Sequence, residues 1–263
     1  MLHGYTTPRT PRGRSGLAPM PPWHYVSTSL AVEFEANPDR VAAFLPDGLE
    51  PAGGRCAAYF AEWQFATDRG DEYLDPVGSQ YKEMILLVSA RRAGVDAAYC
   101  PFIFVDQDTA LMRGLVQGWP KQIGSVWLTR AYDLPSKASP DVAAGGRFGA
   151  SLAVKDRRLM EAAITLSRRS ETPPAPGFAY AFNLRYFPDL AAGRHDKPAV
   201  HELVQLKSRD VRFGEIWTGN ASLSIFDHPT LELADLRPER VLAGYRFSFA
   251  FTVDDLVHVK DFA

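Results

Sequence analysis

Cysteine, long apolar runs and an excess of charge of either sign are all scarce in this sequence, and each scarcity narrows the class of protein. The two cysteines, Cys56 and Cys100, lie in no metal-ligand or redox spacing, so a reducing, cytoplasmic setting is the default expectation. The longest apolar runs, such as MILLVSA after Glu83, are far too short for a membrane helix. The first residues also lack the apolar core of a signal peptide. A formal net charge of −2 gives no electrostatic reason to expect nucleic acid or a membrane as a partner.

Several common catalytic motifs are missing as well. The six histidines form no pair at i, i+4 and no HExxH motif, so no metal site is expected. The chain has no Gly-x-Ser-x-Gly turn, which removes the commonest serine-hydrolase hypothesis. The glycine-rich GGRFG at 145 has no helix after it to hold a phosphate. We therefore expect neither a metal nor an organic cofactor.

The proline content divides the chain into two parts. Residues 1–22 hold five prolines, three arginines and no acid. This composition predicts an extended arm without its own core, either disordered or laid across a neighbouring subunit. Residues 23–263 are expected to form a single domain.

An alternation of apolar and polar residues dominates that domain and indicates strands. In CAAYFAEWQF, Phe60, Glu62 and Gln64 share one face, whereas Tyr59, Trp63 and Phe65 share the other. Similar runs are KEMILLVSA, YCPFIFVD, SVWLTRAYDL, GRFGASLAV, AVHELVQLKSRDVRF, SLSIF and YRFSFAFTV. No long βαβ alternation occurs. The pattern therefore predicts a β-rich α+β domain with a curved or closed, mainly antiparallel sheet.

Helices are predicted at few places. Asn37 and Pro38 have the residue types of an N-cap and first helical position for PDRVAAFL. Asp106 or Asp108 can cap TALMRGLVQ. Residues 158–167 are a third helical candidate, although LMEAAITL also fits a strand.

One lysine stands out in GLVQGWPKQIGSV, residues 114–126, because no other charge occurs there. Lys121 is either an ordinary loop cation or an amine kept away from water for chemistry. The other candidates have equally plain alternatives. Glu83 precedes an apolar strand, where a charge can simply oppose aggregation. Glu62 faces either the interior or solvent, and Gln117, four residues before Lys121, can cap a helix carbonyl.

Taken together, these residues resemble the acetoacetate decarboxylase family. The similarity covers nearly the whole chain from about Trp23 onward. It is densest at YKE (81–83), at GWPK (118–121) and in HELVQLKSRDVRFGEIWTGNASLSIFDHP (201–229). The resemblance implies a β-barrel with a few flanking helices. It also implies a homo-oligomer, a tetramer or larger. In this family an activated lysine forms a Schiff base with a keto substrate, and the resemblance assigns that role to Lys121.

The departures from the family pattern point to a branch other than the true decarboxylases. A second lysine that follows the first in decarboxylases is replaced by Gln122, and the family's first-strand arginine aligns with Val26-Ser27-Thr28. The pKa of Lys121 is then expected to be lowered by apolar burial alone. The family's strand and YKE glutamates are retained as Glu62 and Glu83. The glutamine at position 117 is similar to the residue found there in the branch known for pyruvate aldolase and dehydratase or hydratase chemistry.

The preferred hypothesis is therefore a Schiff-base lyase acting on a 2-oxo acid, with an aldehyde as the other small-molecule substrate. Lys121 forms the imine and Glu83 moves the proton at C3. The candidate substrate-binding residues are Gln117, Glu62, Trp119, Phe60 and Gln122, and the late-strand aromatics Phe247, Phe249 and Phe251 are candidates for an apolar wall. Two alternatives stay open: an acetoacetate decarboxylase, and a non-catalytic β-barrel that binds a small ligand.

Overall fold

The computed structural model describes residues 1–262, and strands account for most of them. The strands are β1 (Trp23–Glu35), β2 (Glu50–Ala66), β3 (Gln80–Arg92), β4 (Val95–Val105), β5 (Lys121–Ile123), β6 (Ser125–Leu128), β7 (Arg147–Val154), β8 (Arg157–Ser170), β9 (Ala181–Pro188), β10 (Pro198–Phe213), β11 (Ile216–Ile225) and β12 (Arg240–Asp261). The α-helices are α1 (Pro38–Ala43), α2 (Pro76–Ser79) and α3 (Asp108–Val116). Short 3-10 turns cover Glu72–Leu74, Phe178–Tyr180 and Glu232–Leu236.

The strands form one continuous sheet that closes into a ring. Its order is β1-β2-β3-β4-β9-β10-β12, and β12 pairs with β1 to close it. From β12 the sheet continues outward through β11, β8, β7 and β6. Neighbours are antiparallel except for β4 with β5 and β4 with β9, which are parallel. The predicted α+β class with a closed, mainly antiparallel sheet is confirmed.

Two tight hairpins show how local sequence fixes this topology. The β3–β4 turn uses Ala93 (φ 49°) and Gly94 (φ 77°), and the β7–β8 turn uses Lys155 (φ 49°) and Asp156 (φ 62°). Two successive residues with positive φ are typical of turns whose twist matches that of the flanking strands. These turns hold the strand pairs in register.

The strands β1 to β4 bury both of their faces. One core takes the even-numbered residues of β1 and β2, such as Leu30, Phe34 and Phe60, and packs them against β6, β7, β8 and β11. The opposite core takes odd-numbered residues, such as Tyr59 and Trp63, together with residues of α3 and β12. Alternation along a strand therefore assigns neighbouring residues to different cores.

The helix predictions are partly right. The Asn37 side chain caps α1 by accepting from Asp39 N at 3.1 Å. The cap of α3 is Gln107, whose Oε1 accepts from Ala110 N at 3.2 Å, and not Asp106 or Asp108. A helix over residues 158–167 is wrong, because this segment lies in β8, where even-numbered apolar residues are buried and partners flank both edges.

The first residues fold back on themselves beside the sheet. The Thr6 hydroxyl donates to Ala18 O at 3.2 Å and accepts from Ala18 N at 2.8 Å. The Trp23 indole donates to Pro19 O at 3.0 Å and links this segment to β1. In the described part of the chain, every helix is too short or too polar to cross a bilayer.

Candidate active site

The end of α3 places Lys121. After the helix, Gly118 has φ +81°, Gly118 N donates to Leu115 O at 3.1 Å and Trp119 N donates to Gly114 O at 3.0 Å. These bonds form the Schellman pattern that ends many helices at a glycine. A Cβ on Gly118 would lie 2.8 Å from Arg185 Cγ, so both the conformation and the packing require glycine.

Strand pairing then brings Lys121 next to Glu83. Lys121 on β5 pairs with Ile103 on β4, and Glu83 on β3 pairs with Val105, two residues further along β4. Both side chains therefore project from the same face, on the two sides of β4. Lys121 Nζ and Glu83 Oε2 are in direct contact, and the side chains are 7% and 5% exposed.

The stem of Lys121 lies on Gly114 of α3. A Cβ added to Gly114 would fall 2.2 Å from Lys121 Cδ and 2.4 Å from Cε. On the other side, the amine lies 5.4 Å from the centre of the Tyr81 ring. The absence of a side chain at position 114 therefore creates the channel through which the lysine reaches its partner.

The amine and the carboxylate border a cavity of ≈ 40 Å³. Its wall is mainly aromatic and includes Tyr25, Trp63, Tyr81, Trp119, Phe178 and Phe251. Gln117 and Ser208 supply polar groups. A cavity lined mainly by aromatic side chains, with a few convergent polar groups, is typical of a site for a small molecule.

A second cation lies directly behind this cavity. Arg113 of α3 is 1% exposed, and its guanidinium stacks on the Phe65 ring at 3.5 Å from the ring centre. It also lies 5.7 Å from the centre of the Tyr25 ring and 5.5 Å from that of Tyr81, two rings that line the cavity. Among residues 1–262, none of its three guanidinium nitrogens has a hydrogen-bond partner. A buried charge without a polar partner is costly and is often found where a ligand is bound.

Burial lowers the pKa of Lys121 from its ordinary value, because desolvation penalises the ammonium. The Glu83 carboxylate opposes this effect, and the positive charge of Arg113 reinforces it. The expectation that apolar burial acts alone is therefore corrected. The cation that lowers the pKa of Lys121 comes from the helix before the lysine, and neither from position 122 nor from β1.

Gln117 joins the helix end to the cavity. Its side-chain Nε2 donates to Arg113 O at 2.9 Å, and its backbone O accepts from Asn183 Nδ2 at 3.2 Å. Burial raises the pKa of the neighbouring Tyr25, against the effect of Arg113 and Gln117, so this phenol stays protonated and can donate. The amide side chain of Gln117 is buried and fixed where a bound molecule would meet it.

The structure brings some of the predicted residues together and leaves others apart. Lys121, Glu83, Gln117 and Trp119 all line the cavity, and of the late-strand aromatics Phe251 does so.

Phe60, Glu62 and Gln122 lie elsewhere, which corrects their expected role in substrate binding. Phe60 is buried in the opposite core. Glu62 faces outward and binds Arg130 at 3.0 Å. Gln122 is exposed and pairs with Phe104, on the face opposite Lys121. Each is one residue away from the cavity face, and a shift of one residue reverses the side of a strand.

Sequence reasoning missed Tyr25, Trp63, Tyr81 and Arg113. The alternation in β2 placed Trp63 opposite Glu62 but did not tell which face holds the site. Tyr81 begins the YKE motif, two residues before Glu83, and therefore shares its face. Arg113 precedes Lys121 by eight residues, but helix periodicity alone does not predict that its side chain lies near the lysine.

The closed sheet and the buried lysine–glutamate pair define a small-molecule site built around an amine. Comparison with known proteins identifies the family: the acetoacetate decarboxylase model matches residues 6–262, and the chain belongs to that family. It is 22% identical over 230 residues to acetoacetate decarboxylase 1 of Bradyrhizobium diazoefficiens, covering 84% of this chain and 80% of that protein.

Solved structures agree with this assignment. The enduracididine biosynthesis enzyme MppR, complexed with the condensation product of pyruvate and imidazole 4-carboxaldehyde, is 35% identical with a TM-score of 0.94, covering 100% of this chain and 98% of that one. An acetoacetate decarboxylase-like enzyme from Sphingomonas wittichii RW1 is 26% identical with a TM-score of 0.90, covering 98% and 100%. The resemblance found in the sequence is confirmed, and the chain is an acetoacetate decarboxylase-like enzyme.

Proposed function

We propose that this protein is a Schiff-base-forming lyase acting on 2-oxo acids, of the pyruvate aldolase–dehydratase or 2-oxo acid hydratase type. The observation that carries the proposal is the Lys121 amine, which is buried at a small cavity, has a lowered pKa and contacts Glu83. An unprotonated amine is the nucleophile that imine formation needs. MppR, which is 35% identical, was also solved in a complex with pyruvate.

The first step joins Lys121 to the substrate. Nζ attacks the ketone carbon of the 2-oxo acid, water leaves, and a protonated imine forms. This imine draws electrons from the adjacent carbon, C3, and acidifies its protons. The imine carbon is bonded to Nζ, and C3 is the next carbon along the substrate. A carboxylate in contact with Nζ is therefore close enough to C3 to take a proton from it. Glu83 then takes that proton, and an enamine forms.

The surroundings favour a substrate with a carboxylate. The buried guanidinium of Arg113 puts a positive charge behind the rings of Tyr25 and Tyr81. An anion in the cavity offsets the cost of burying that charge. Gln117 offers its amide to the carboxylate without adding a further charge, and Tyr25 offers a protonated phenol.

Borohydride trapping with pyruvate tests the imine. Wild-type protein is expected to gain one reduced pyruvate at Lys121, measured by peptide mass, and Lys121→Ala is expected to gain none. Lys82→Ala is the matched control, because Lys82 on β3 binds Asp106 at 3.4 Å and lies over Trp127, outside the cavity. Glu83→Gln should still be trapped but should lose deuterium wash-in to the pyruvate methyl group by about a hundredfold. A wild-type protein that gives no adduct refutes the proposal.

Decarboxylation of acetoacetate is a second candidate, and one observation favours it. Arg113 lowers the pKa of Lys121 in addition to burial, so a second cation is present although position 122 is Gln. The same imine can draw electrons from the breaking C–C bond of a β-keto acid. Release of CO₂ from acetoacetate at a rate above that of pyruvate–aldehyde condensation would favour this candidate over the first.

Three further expectations stay predictions: a homo-oligomer of four or more subunits, a cytoplasmic setting, and a division into an arm (1–22) and one domain (23–263).

A further inference from the structure

A second cavity of ≈ 100 Å³ lies beside the cavity of Lys121. The two share Phe178 and Ser208 in their walls. The second wall is otherwise formed by apolar groups that include Pro174, Phe247 and Phe249. Tyr59 also lines it, but its hydroxyl donates to Pro174 O at 3.2 Å and Pro176 O at 2.8 Å. The described wall therefore offers little besides the Ser208 hydroxyl to a polar ligand.

Phe178 separates the two cavities. Its ring stacks on Phe249 with centres 5.8 Å apart and meets Trp119 edge-on at 6.3 Å. The residues before it are held in place by Tyr59 and by Glu33 of β1, which accepts from Ala175 N. Phe178 is thus an aromatic wall between the amine and an apolar space, with Trp119 on one side and Phe249 on the other.

We propose that this second cavity, the apolar compartment, binds the apolar group of the aldehyde that reacts with the pyruvate enamine. The proposal rests on the proposed function and specifies its second substrate: an aldehyde with a phenyl group or an alkyl chain of about four to six carbons. Apolar cavities of about 150 Å³ hold benzene in other proteins. The apolar compartment, open at Val211 and Phe213, is of that order.

The chemistry fits the arrangement of the two cavities. The enamine electron pair at C3 forms the new bond to the aldehyde carbon, and the carbonyl π electrons move to its oxygen. That oxygen takes the proton that Glu83 removed from C3, so no further reactant is needed. Hydrolysis of the imine frees the 4-hydroxy-2-oxo acid, and loss of water between C3 and C4 gives the unsaturated acid. The carboxylate end stays near Gln117, and the apolar end extends past Phe178.

A series of straight-chain aldehydes, from acetaldehyde to hexanal, tests the compartment with wild-type protein and pyruvate. The kcat/KM for the aldehyde is expected to rise about fourfold for each added methylene until the compartment is full, which is the effect of burying one CH₂ group. Val211→Asp puts a charge at the mouth and should lower kcat/KM for hexanal about tenfold, with little change for acetaldehyde. Val257→Asp is the matched control, since Val211 and Val257 are 45% and 43% exposed and Val257 does not line the cavity.

The outcomes separate this proposal from the proposed function. Failure of wild-type protein to trap pyruvate overturns the proposed function itself. Normal trapping with kcat/KM that does not depend on chain length overturns the compartment alone. The same holds if Val211→Asp and Val257→Asp behave alike with hexanal. Both variants should trap pyruvate as wild type does, which shows that the folded site is intact.

Discussion

At the level of single residues, two groups of opposite charge act on the pKa of Lys121: Glu83 raises it and Arg113 lowers it. Together with burial, their balance sets the pH at which the amine loses its proton. Its pKa lies below the ordinary value of about 10.4, so imine formation reaches its plateau at a lower pH than for an exposed lysine. Arg113→Met removes a positive charge that lowers this pKa, and should move the half-plateau pH upward. Glu83→Gln removes a negative charge that raises it, and should move the half-plateau pH downward.

The measurement is the amount of pyruvate trapped by borohydride as a function of pH. Arg130→Gln serves as the control, because Arg130 is exposed and binds Glu62 outside the cavity. Shifts of Arg113→Met and Glu83→Gln in the same direction would contradict the opposing effects of the two charges on the pKa of Lys121.

The site residues that could be predicted from the sequence are those whose motif fixes them relative to one another. Lys121, Trp119 and Gln117 lie within five consecutive residues, and Glu83 follows from the YKE motif. Arg113 could not be assigned, because its role depends on three rings from β1, β2 and β3 that surround it. Gln122 was misplaced because adjacent residues on the short β5 point to opposite faces.

At the scale of elements, α3 and β5 together position the lysine: Lys121 lies on β5, and its side chain packs on Gly114 of α3. Gly114→Ala should change stability only modestly, because the roughly 1 kcal/mol by which alanine favours a helix over glycine offsets part of the cost of crowding the buried lysine. It should nevertheless reduce the rate of pyruvate trapping about a hundredfold, because the new Cβ would lie 2.2 Å from Lys121 Cδ and displace the amine.

Thermal unfolding and the trapping rate, measured on the same samples, test this separation of stability from activity. Gly149→Ala on β7 is the matched control, because a Cβ there meets its neighbours at 3.7 Å, an ordinary contact. Unchanged trapping in Gly114→Ala would show that the helix surface does not direct the lysine.

The elements themselves were mostly predictable because alternation is a strong signal for strands. The segment 158–167 was ambiguous, because LMEAAITL combines good helix formers with an alternating pattern, and only pairing with β7 and β11 decides between them. In β2 the alternation gave the two faces correctly. It could not tell which face meets the site, because both faces are apolar and both are buried.

Considered as a whole, the molecule gathers its site from distant parts of the chain. Tyr25 on β1 meets Phe251 on β12 through the pairing that closes the ring, with ring centres 5.1 Å apart. Such a register is set by long-range packing, so no local sequence signal fixes it. The two faces of the closed sheet therefore differ in role. The core on one face packs the sheet against the outer strands, and the core on the opposite face surrounds the Lys121 amine.

This division predicts different effects for one chemical change made in the two cores. Phe60→Leu, in the core opposite the site, should lower the free energy of unfolding by about 1 to 2 kcal/mol through the space that it leaves. Its half-saturating pyruvate concentration for trapping should stay that of wild type. Phe251→Leu removes a ring from the cavity wall and should raise that concentration about fivefold, equivalent to roughly 1 kcal/mol of binding.

Urea unfolding supplies the free energies of both variants, and trapping at a series of pyruvate concentrations supplies the half-saturation values. Phe251 is less buried than Phe60, so its loss should cost less stability. If Phe60→Leu raised the half-saturating concentration as much as Phe251→Leu does, the two cores would be coupled through β2. Phe60 would then support the site indirectly, through the strand that also carries Trp63.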